Sequence, residues 1–200
     1  MNKRWPYTSF GIPDELFIRG RVPMTKEEVR SVVMSKLRLC KDSVVVDVGA
    51  GTGSVSIEAA LHCTEGRVYS IEYKEEALAL IAENKRAFEA NNIDIIQGRG
   101  VGALKEISGY NRLFIGGSEG ELPELLDIAA AELPIGGRVV ITTVTVETLY
   151  QALEELKLKA FKEIEVTTVG ISKGRSTGRY TLMEAQNSIN IISAEKGEIK

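Results

Sequence analysis

The chain has 200 residues, of which 44% are hydrophobic and 26% are charged, and its formal net charge is -3. This length and composition predict one globular domain that buries roughly 70% of its unfolded surface. No apolar run reaches the ~20 residues of a membrane helix, and the N-terminal sequence MNKRWPYTSF lacks the apolar stretch of a secretory signal peptide. We therefore expect a soluble, cytoplasmic protein.

The residue types also argue against a metal site, a disulfide framework and nucleic-acid binding. The two cysteines, Cys40 and Cys63, lack CxxC spacing, and the single histidine, His62, has no set of further ligands near it. Residues 1–41 contain nine Lys/Arg and four Asp/Glu, a net charge of +5, so residues 42–200 carry -8. An acidic main part of the chain is a poor match for a polyanion.

The predicted elements begin with a leading helix and then alternate. Thr25, with Glu28 three residues later, has the pattern of a capping box, and helical apolar spacing follows it, which predicts a helix over residues 25–39. Strands are predicted over residues 44–48, 67–72, 93–97, 112–115 and 138–143, and helices over residues 54–63, 74–90, 101–107, 121–133 and 146–158. Two last strands, 161–171 and 189–194, have no helix between them. The pattern predicts an α/β fold whose parallel sheet is closed by an antiparallel pair.

The first strand ends in a glycine-rich turn, in the sequence VVVDVGAGTGS of residues 44–54. A nearly continuous Val run is typical of a buried parallel strand, and ligands bind beyond the carboxyl ends of such strands. Gly49, Gly51 and Gly53 are spaced Gly-x-Gly-x-Gly, because Ser54 stands where the dinucleotide fingerprint needs its third glycine. The turn therefore indicates a ligand other than a dinucleotide; a merely tight strand-to-helix turn is the alternative.

An acidic residue, Glu72, ends the second predicted strand about 20 positions after the glycine turn. A carboxylate at this place suits hydrogen bonds to the two hydroxyls of a ribose. The alternative is a carboxylate that only stabilises the start of the next helix.

The glycine pattern, the acid after the second strand and the closing antiparallel strands together resemble the class I S-adenosylmethionine-dependent methyltransferases over residues 40–195. The resemblance implies a three-layer Rossmann-like fold with a mostly parallel seven-stranded sheet, and S-adenosylmethionine as cofactor. It implies that the glycine turn holds the methionine part and Glu72 the ribose. Where the family usually has Asp, after the third strand, this chain has Arg99. The cofactor-binding residues expected are Thr25, Asp47, Gly49, Ala50, Gly51, Thr52, Gly53, Glu72, Arg99 and Gly100.

Three further stretches resemble one subfamily, the decarboxylating precorrin carbon-15 methyltransferases of cobalamin biosynthesis. They are GIPDELFIRGRVPMTKEEVR (11–30), FIGGSEGELPELL (114–126) and ISKGRSTGRY (171–180). The chain departs from the subfamily's frequent Asn-Pro-Val at Asn187, Ser188 and Ile189. The resemblance implies methylation of a precorrin or cobalt-precorrin at ring carbon 15 with decarboxylation of the ring C acetate. It also implies a single methyltransferase domain over residues 1–200, with an N-terminal substrate or oligomer segment in residues 1–40 and a cofactor-binding core in residues 41–195.

A precorrin carries many carboxylates, so its site is expected to present cations. The candidates are Arg19, Arg21, Lys173, Arg175 and Arg179, in segments expected to fold over the sheet; for each of them alone, a solvated surface charge is the alternative. Gly116, Gly117 and Ser118 follow the fourth strand and are expected to position the substrate, with a close strand-to-helix turn as the alternative for the glycines. No catalytic side chain is assigned, because a sulfonium supplies its own leaving group. The aromatic residues Trp5, Tyr7 and Phe10 either cover the tetrapyrrole face or pack on a neighbouring subunit, and packing is the commoner fate of such residues.

The expected partners are the tetrapyrrole and further copies of the chain, with a homotetramer as the expected assembly. A separate carbon-5 methyltransferase of the pathway is a further candidate partner; nucleic acid and membrane are not expected. The alternative function is methylation of tRNA or protein by the same fold. A nucleotide-binding oxidoreductase or regulatory module is a third class, and it requires the fingerprint that Ser54 interrupts.

Overall fold

The computed structural model describes residues 4–198. The β-strands are β1 (Val44–Val48), β2 (Arg67–Glu72), β3 (Ile93–Gln97), β4 (Arg112–Ile115), β5 (Arg138–Thr143), β6 (Phe161–Val169), β7 (Ser172–Thr177), β8 (Tyr180–Ala185) and β9 (Ile189–Lys196). The α-helices are α1 (Glu27–Leu37), α2 (Ser54–His62), α3 (Glu75–Ala87), α4 (Gly100–Leu104), α5 (Leu122–Glu132) and α6 (Val146–Leu158).

Seven of the strands form one sheet in the order β3-β2-β1-β4-β5-β9-β6. Strands β1 to β5 are parallel, whereas β9 runs antiparallel to both of its neighbours, β5 and β6. The expected α/β fold with a mostly parallel, seven-stranded sheet and an antiparallel closing pair is thus confirmed. Because β1 lies between β2 and β4, the loops after these three strands meet at one edge of the sheet.

The two faces of the sheet pack against different helices, which explains the Val-rich sequence of β1. Val45 belongs to a core with residues of α1 and α2, whereas Val46 and Val48 belong to a second core with residues of α5 and α6. A strand covered on both faces needs apolar side chains at consecutive positions rather than at alternate ones. Full burial of each valine stabilises the fold by roughly 1.5–3 kcal/mol.

The predicted capping box at the start of α1 is wrong. The helix begins at Glu27, its N-cap residue is Lys26, and no side chain of the cap accepts a hydrogen bond. Asp14 from the preceding 3-10 turn replaces it, since its Oδ1 accepts from Glu27 N at 3.0 Å. The Glu28 carboxylate turns away from the cap and pairs with Lys173 at 2.6 Å.

The hairpin of β7 and β8 forms a separate two-stranded sheet, and every residue of both strands is exposed. The sequence predicts no strand over this hairpin, because its residues show no alternation of apolar and polar positions. Among residues 4–198 there is no helix long and apolar enough to cross a membrane. The same residues contain no group of three or more His, Cys, Asp or Glu placed to hold a metal ion.

Candidate active site

A cavity of about 410 Å³ opens at the carboxyl ends of the central strands. Three loops line its floor: the glycine turn after β1, the residues after β2 and the Gly-rich loop after β4. The N-terminal segment 22–26 lines one wall, together with residues at the end of β5 and the start of β9. Of the predicted site residues, those that line the cavity are Thr25, Gly49, Ala50, Gly51, Glu72, Arg99, Gly100, Gly116, Gly117 and Ser118.

The glycine turn is packed between two other segments, and this packing requires glycine. Gly49 and Gly51 have φ angles of +74° and +59°, in the left-handed region that disfavours side chains. A Cβ on Gly49 would lie 2.8 Å from the carbonyl oxygen of Gly117, and one on Gly51 would lie 3.0 Å from that of Pro23. The turn thus brings the β4 loop and the N-terminal segment into contact around the cavity.

Glu72 ties the glycine turn to the start of α3. Its side chain is buried; Oε2 accepts a hydrogen bond from Gly51 N at 3.1 Å, and Oε1 accepts from Tyr73 N at 2.8 Å and Lys74 N at 3.0 Å. A carboxylate has about four lone-pair sites, so three donors leave acceptor capacity on the cavity side. An ionised carboxylate with free capacity is suited to hydroxyl donors of a ligand.

Three of the predicted cofactor residues do not line the cavity wall. Asp47, Thr52 and Gly53 are buried. Asp47 Oδ2 accepts from Ser56 Oγ at 2.5 Å, and Ser56 in turn accepts from Ser70 Oγ at 2.6 Å. Burial raises the pKa of Asp47 to about 7. The Asp47 carboxyl therefore belongs to a polar cluster beneath the turn and reaches a bound ligand only through the turn.

The rim of the cavity carries four side chains that interact with one another. The Tyr73 hydroxyl donates to Glu119 Oε1 at 2.6 Å, and Lys74 Nζ lies 3.6 Å from the same oxygen. The Arg99 guanidinium carbon lies 5.3 Å from the centroid of the Tyr73 ring. Tyr73, Lys74 and Glu119 were not predicted as site residues, because Tyr73 and Lys74 belong to no motif and Glu119 is an acidic neighbour of the glycines expected to act after the fourth strand.

The five predicted substrate-binding cations lie outside the cavity wall. Lys173 pairs with Glu28, and Arg175 pairs with Glu184 of its own hairpin at 2.6 Å. Arg179 lies over the Tyr180 ring, and Arg19 and Arg21 are exposed on the N-terminal segment. The cations that line the cavity are Lys26, Lys74 and Arg99.

The N-terminal aromatic residues pack away from the main cavity. Trp5 and Tyr7 form an edge-to-face pair with ring centroids 4.8 Å apart, and Phe10 lies 4.9 Å from the His62 ring of α2. None of these rings lines the main cavity. These contacts lie within one chain, so cover of the tetrapyrrole and packing on a neighbouring subunit both stay predictions.

The sheet order, the glycine turn after β1 and the buried acid after β2 are those of a class I methyltransferase. The sequence matches the family described as precorrin methyltransferase domain over residues 15–196, and the chain belongs to that family. It is therefore a methyltransferase.

Similar proteins agree with this assignment over nearly their whole length. A protein of Pyrobaculum calidifontis named "Probable cobalt-precorrin-6B C(15)-methyltransferase (decarboxylating)" is 47% identical over 95% of this chain and 98% of its own. The crystal structure of precorrin-6y C5,15-methyltransferase from Geobacter metallireducens is 36% identical, with a TM-score of 0.89 over 94% of this chain and 98% of that chain. The structure of precorrin 8w decarboxylase from Methanobacterium thermoautotrophicum is 35% identical, with a TM-score of 0.87 over 92% and 98%.

Proposed function

We propose that the protein transfers a methyl group from S-adenosylmethionine to ring carbon 15 of a precorrin or cobalt-precorrin and removes the carboxyl group of the ring C acetate. The observation that supports this most is a single cavity in which the glycine turn and Glu72 adjoin the Gly-rich loop after β4. Relatives that match nearly the whole chain are named for this chemistry.

The lining of the cavity fits the proposed cofactor. When bound, S-adenosylmethionine supplies an electrophilic methyl group on a sulfonium that is its own leaving group. Glu72 has acceptor capacity for ribose hydroxyls. Gly49 and Gly51 let the turn pack against the loop after β4 and the N-terminal segment, and the turn would hold the amino-acid end of the cofactor. The residues Arg99 and Gly100 lie on the β3 side of the cavity, where they would face the adenine.

Methyl transfer to an electron-rich ring carbon requires orientation more than a protein nucleophile. A Cβ on Gly117 would meet no atom within 4 Å, so this loop leaves open space for a flat macrocycle beside the glycine turn. In the decarboxylation the bond to the carboxyl carbon breaks, carbon dioxide leaves, and the electron pair passes into the conjugated ring until the side-chain carbon takes up a proton. We propose no side chain of this protein for that proton.

Recognition of the substrate carboxylates and the assembly are parts of the same proposal. Arg19, Arg21, Lys173, Arg175 and Arg179 remain our candidates for the peripheral carboxylates. The exposed hairpin supports a homo-oligomer, with a tetramer expected, because an isolated two-stranded sheet is marginally stable and this one exposes Tyr180, Leu182 and Met183. A mass in light scattering near the 21.9 kDa of one chain would contradict the oligomer.

Calorimetry tests the cofactor half of the proposal. We expect S-adenosylhomocysteine to bind the purified protein and NAD to give no heat of binding. NAD binding in place of S-adenosylhomocysteine would indicate the dinucleotide class instead. If the protein binds S-adenosylhomocysteine tightly but does not modify precorrins in the presence of S-adenosylmethionine, the cofactor assignment stands and the substrate assignment is wrong.

A further inference from the structure

Two side chains from different loops meet on the solvent side of the glycine turn. Tyr73 follows β2 and Glu119 lies in the loop after β4, and these strands flank β1 on its two sides. Both residues line the cavity, both are exposed at its rim, and the Tyr73 hydroxyl donates to Glu119 Oε1 at 2.6 Å. Their hydrogen bond therefore crosses the cavity above the carboxyl end of β1.

Neighbouring cations strengthen this bond. Lys74 Nζ lies 3.6 Å from Glu119 Oε1, and the Arg99 guanidinium and the Lys74 ammonium both lie over the Tyr73 ring, 5.3 and 5.2 Å from its centroid. The hydrogen bond from Tyr73 and the charges of Lys74 and Arg99 lower the pKa of Glu119. The acceptor is thus an ionised carboxylate, and hydrogen bonds to ionised groups are about twice as strong as neutral ones.

The loop that carries Glu119 is held in place by contacts more than by its own conformational preference. Glu119 has a φ of +48°, which a non-glycine residue adopts only at a cost. Its neighbours Gly117 and Gly120 have open space where a Cβ would lie. The position of Glu119 therefore depends on Tyr73 and Lys74, and the glycines around it allow the loop to move when the bond breaks.

We propose that Tyr73 and Glu119 form a strap that retains the adenosyl cofactor in its half of the cavity. The strap opens to admit the cofactor and closes again over it, so it controls the rate of cofactor release. This inference rests on the proposed function, since it assigns the residues that hold the proposed cofactor. Tyr73 and Glu119 act through each other and are positioning residues without a role in the bond-making steps.

The test is the rate at which S-adenosylhomocysteine leaves the protein, measured by displacement with a fluorescent analogue. Tyr73→Phe keeps the ring and its contacts with the cations and removes only the donating hydroxyl, whereas Glu119→Gln keeps an oxygen acceptor at nearly constant shape and removes its charge. We expect Tyr73→Phe to release the ligand about 5- to 10-fold faster, the effect of losing one hydrogen bond. Glu119→Gln should also release it faster, but by a smaller factor, because a neutral acceptor makes a weaker bond. The double variant should release it no faster than Tyr73→Phe, because both substitutions act on the same bond.

Matched controls come from α6, where Tyr150 is exposed and Glu154 pairs with Lys157 at 3.0 Å. Neither residue lines the cavity, so Tyr150→Phe and Glu154→Gln should leave the release rate unchanged. Release at the wild-type rate from both strap variants, or effects that multiply in the double variant, would overturn the strap alone. Failure of the wild-type protein to bind S-adenosylhomocysteine would overturn the proposed function and the strap with it.

Discussion

Arg30 and Glu58 form a buried ion pair that fixes the N-terminal segment to the core, with Arg30 Nε 2.6 Å from Glu58 Oε1. The Glu58 carboxylate also accepts from Gly11 N and Ile12 N, while Arg30 donates to the carbonyls of Ile12 and Thr25. The pair thus holds both ends of the segment whose residues 22–26 line the cavity.

Removal of one partner of this pair should destabilise the protein strongly, because the other charge remains buried. We expect Arg30→Met to lower the free energy of unfolding by about 3–5 kcal/mol. Denaturant titration measures it. The control is Arg67→Met, which removes an exposed pair with Asp94 and should leave the free energy of unfolding nearly unchanged. If both variants lose the same free energy of unfolding, the buried pair stabilises the protein no more than the exposed pair does.

Gly51→Val should abolish binding of S-adenosylhomocysteine while the fold survives. Residue 51 has a left-handed φ, which a β-branched residue adopts only at a cost, and its side chain would press on the carbonyl oxygen of Pro23. This contact would displace the wall of the cavity. Calorimetry measures binding, and circular dichroism checks the fold. Gly102→Ala is the matched control, since a Cβ there meets no atom within 4 Å. If the folded Gly51→Val protein binds S-adenosylhomocysteine with the wild-type dissociation constant, the glycine turn is not part of the binding site.

Glu72→Ala should weaken binding of S-adenosylhomocysteine by about 1–3 kcal/mol, the scale of lost hydrogen bonds to a charged group. The loss combines direct contacts with the ribose and the order that Glu72 gives to Gly51. Glu75→Ala is the control, because Glu75 lies in the first turn of α3 outside the cavity wall. If Glu72→Ala and Glu75→Ala bind S-adenosylhomocysteine equally well, Glu72 does not contact the ligand and only stabilises the start of α3 through the helix dipole.

Asp47 should make stability depend on pH in the opposite direction to an ordinary ion-paired carboxylate. Burial raises its pKa from 3.8 to about 7, so between these values the folded protein binds more protons than the unfolded chain. The contribution of Asp47 to stability is therefore full below the unfolded pKa and is lost as pH rises through the folded pKa. Asp47→Asn lacks this titration. Its free energy of unfolding should therefore increase relative to that of the wild type as pH rises from 3.8 to about 7. Denaturant titrations of both proteins that stay parallel over the window would contradict the assignment.

Local patterns in the sequence predict the sheet and the glycine turn because the residues that determine each of them lie close together in the chain. The Val run of β1, the three glycines after it and Glu72 at the end of β2 each follow from position along a strand. The N-terminal cap of α1 cannot be predicted in this way, because the oxygen that accepts from Glu27 N belongs to Asp14, thirteen residues earlier. A side chain brought in by tertiary packing replaces the local candidate, Thr25.

The rest of the site depends on pairs that are distant in sequence. Tyr73 and Glu119 are 46 residues apart, and only the adjacency of β2 and β4 to β1 brings them together. The β7–β8 hairpin exposes both of its faces, so it lacks the alternation that identifies a half-buried strand. Similarly, chemical type alone suggests Arg175 as a substrate ligand, and its pairing with Glu184 of the same hairpin is visible only in the structure.

The most direct test of the account is product analysis after reaction with S-adenosylmethionine carrying a 13C-labelled methyl group. The protein is incubated with a precorrin-6-type substrate, both metal-free and loaded with cobalt, and the product is analysed by mass spectrometry and NMR. We expect one labelled methyl group on ring carbon 15 and the loss of one carbon dioxide. Unchanged tetrapyrroles together with labelled tRNA or protein in the same assay would contradict it.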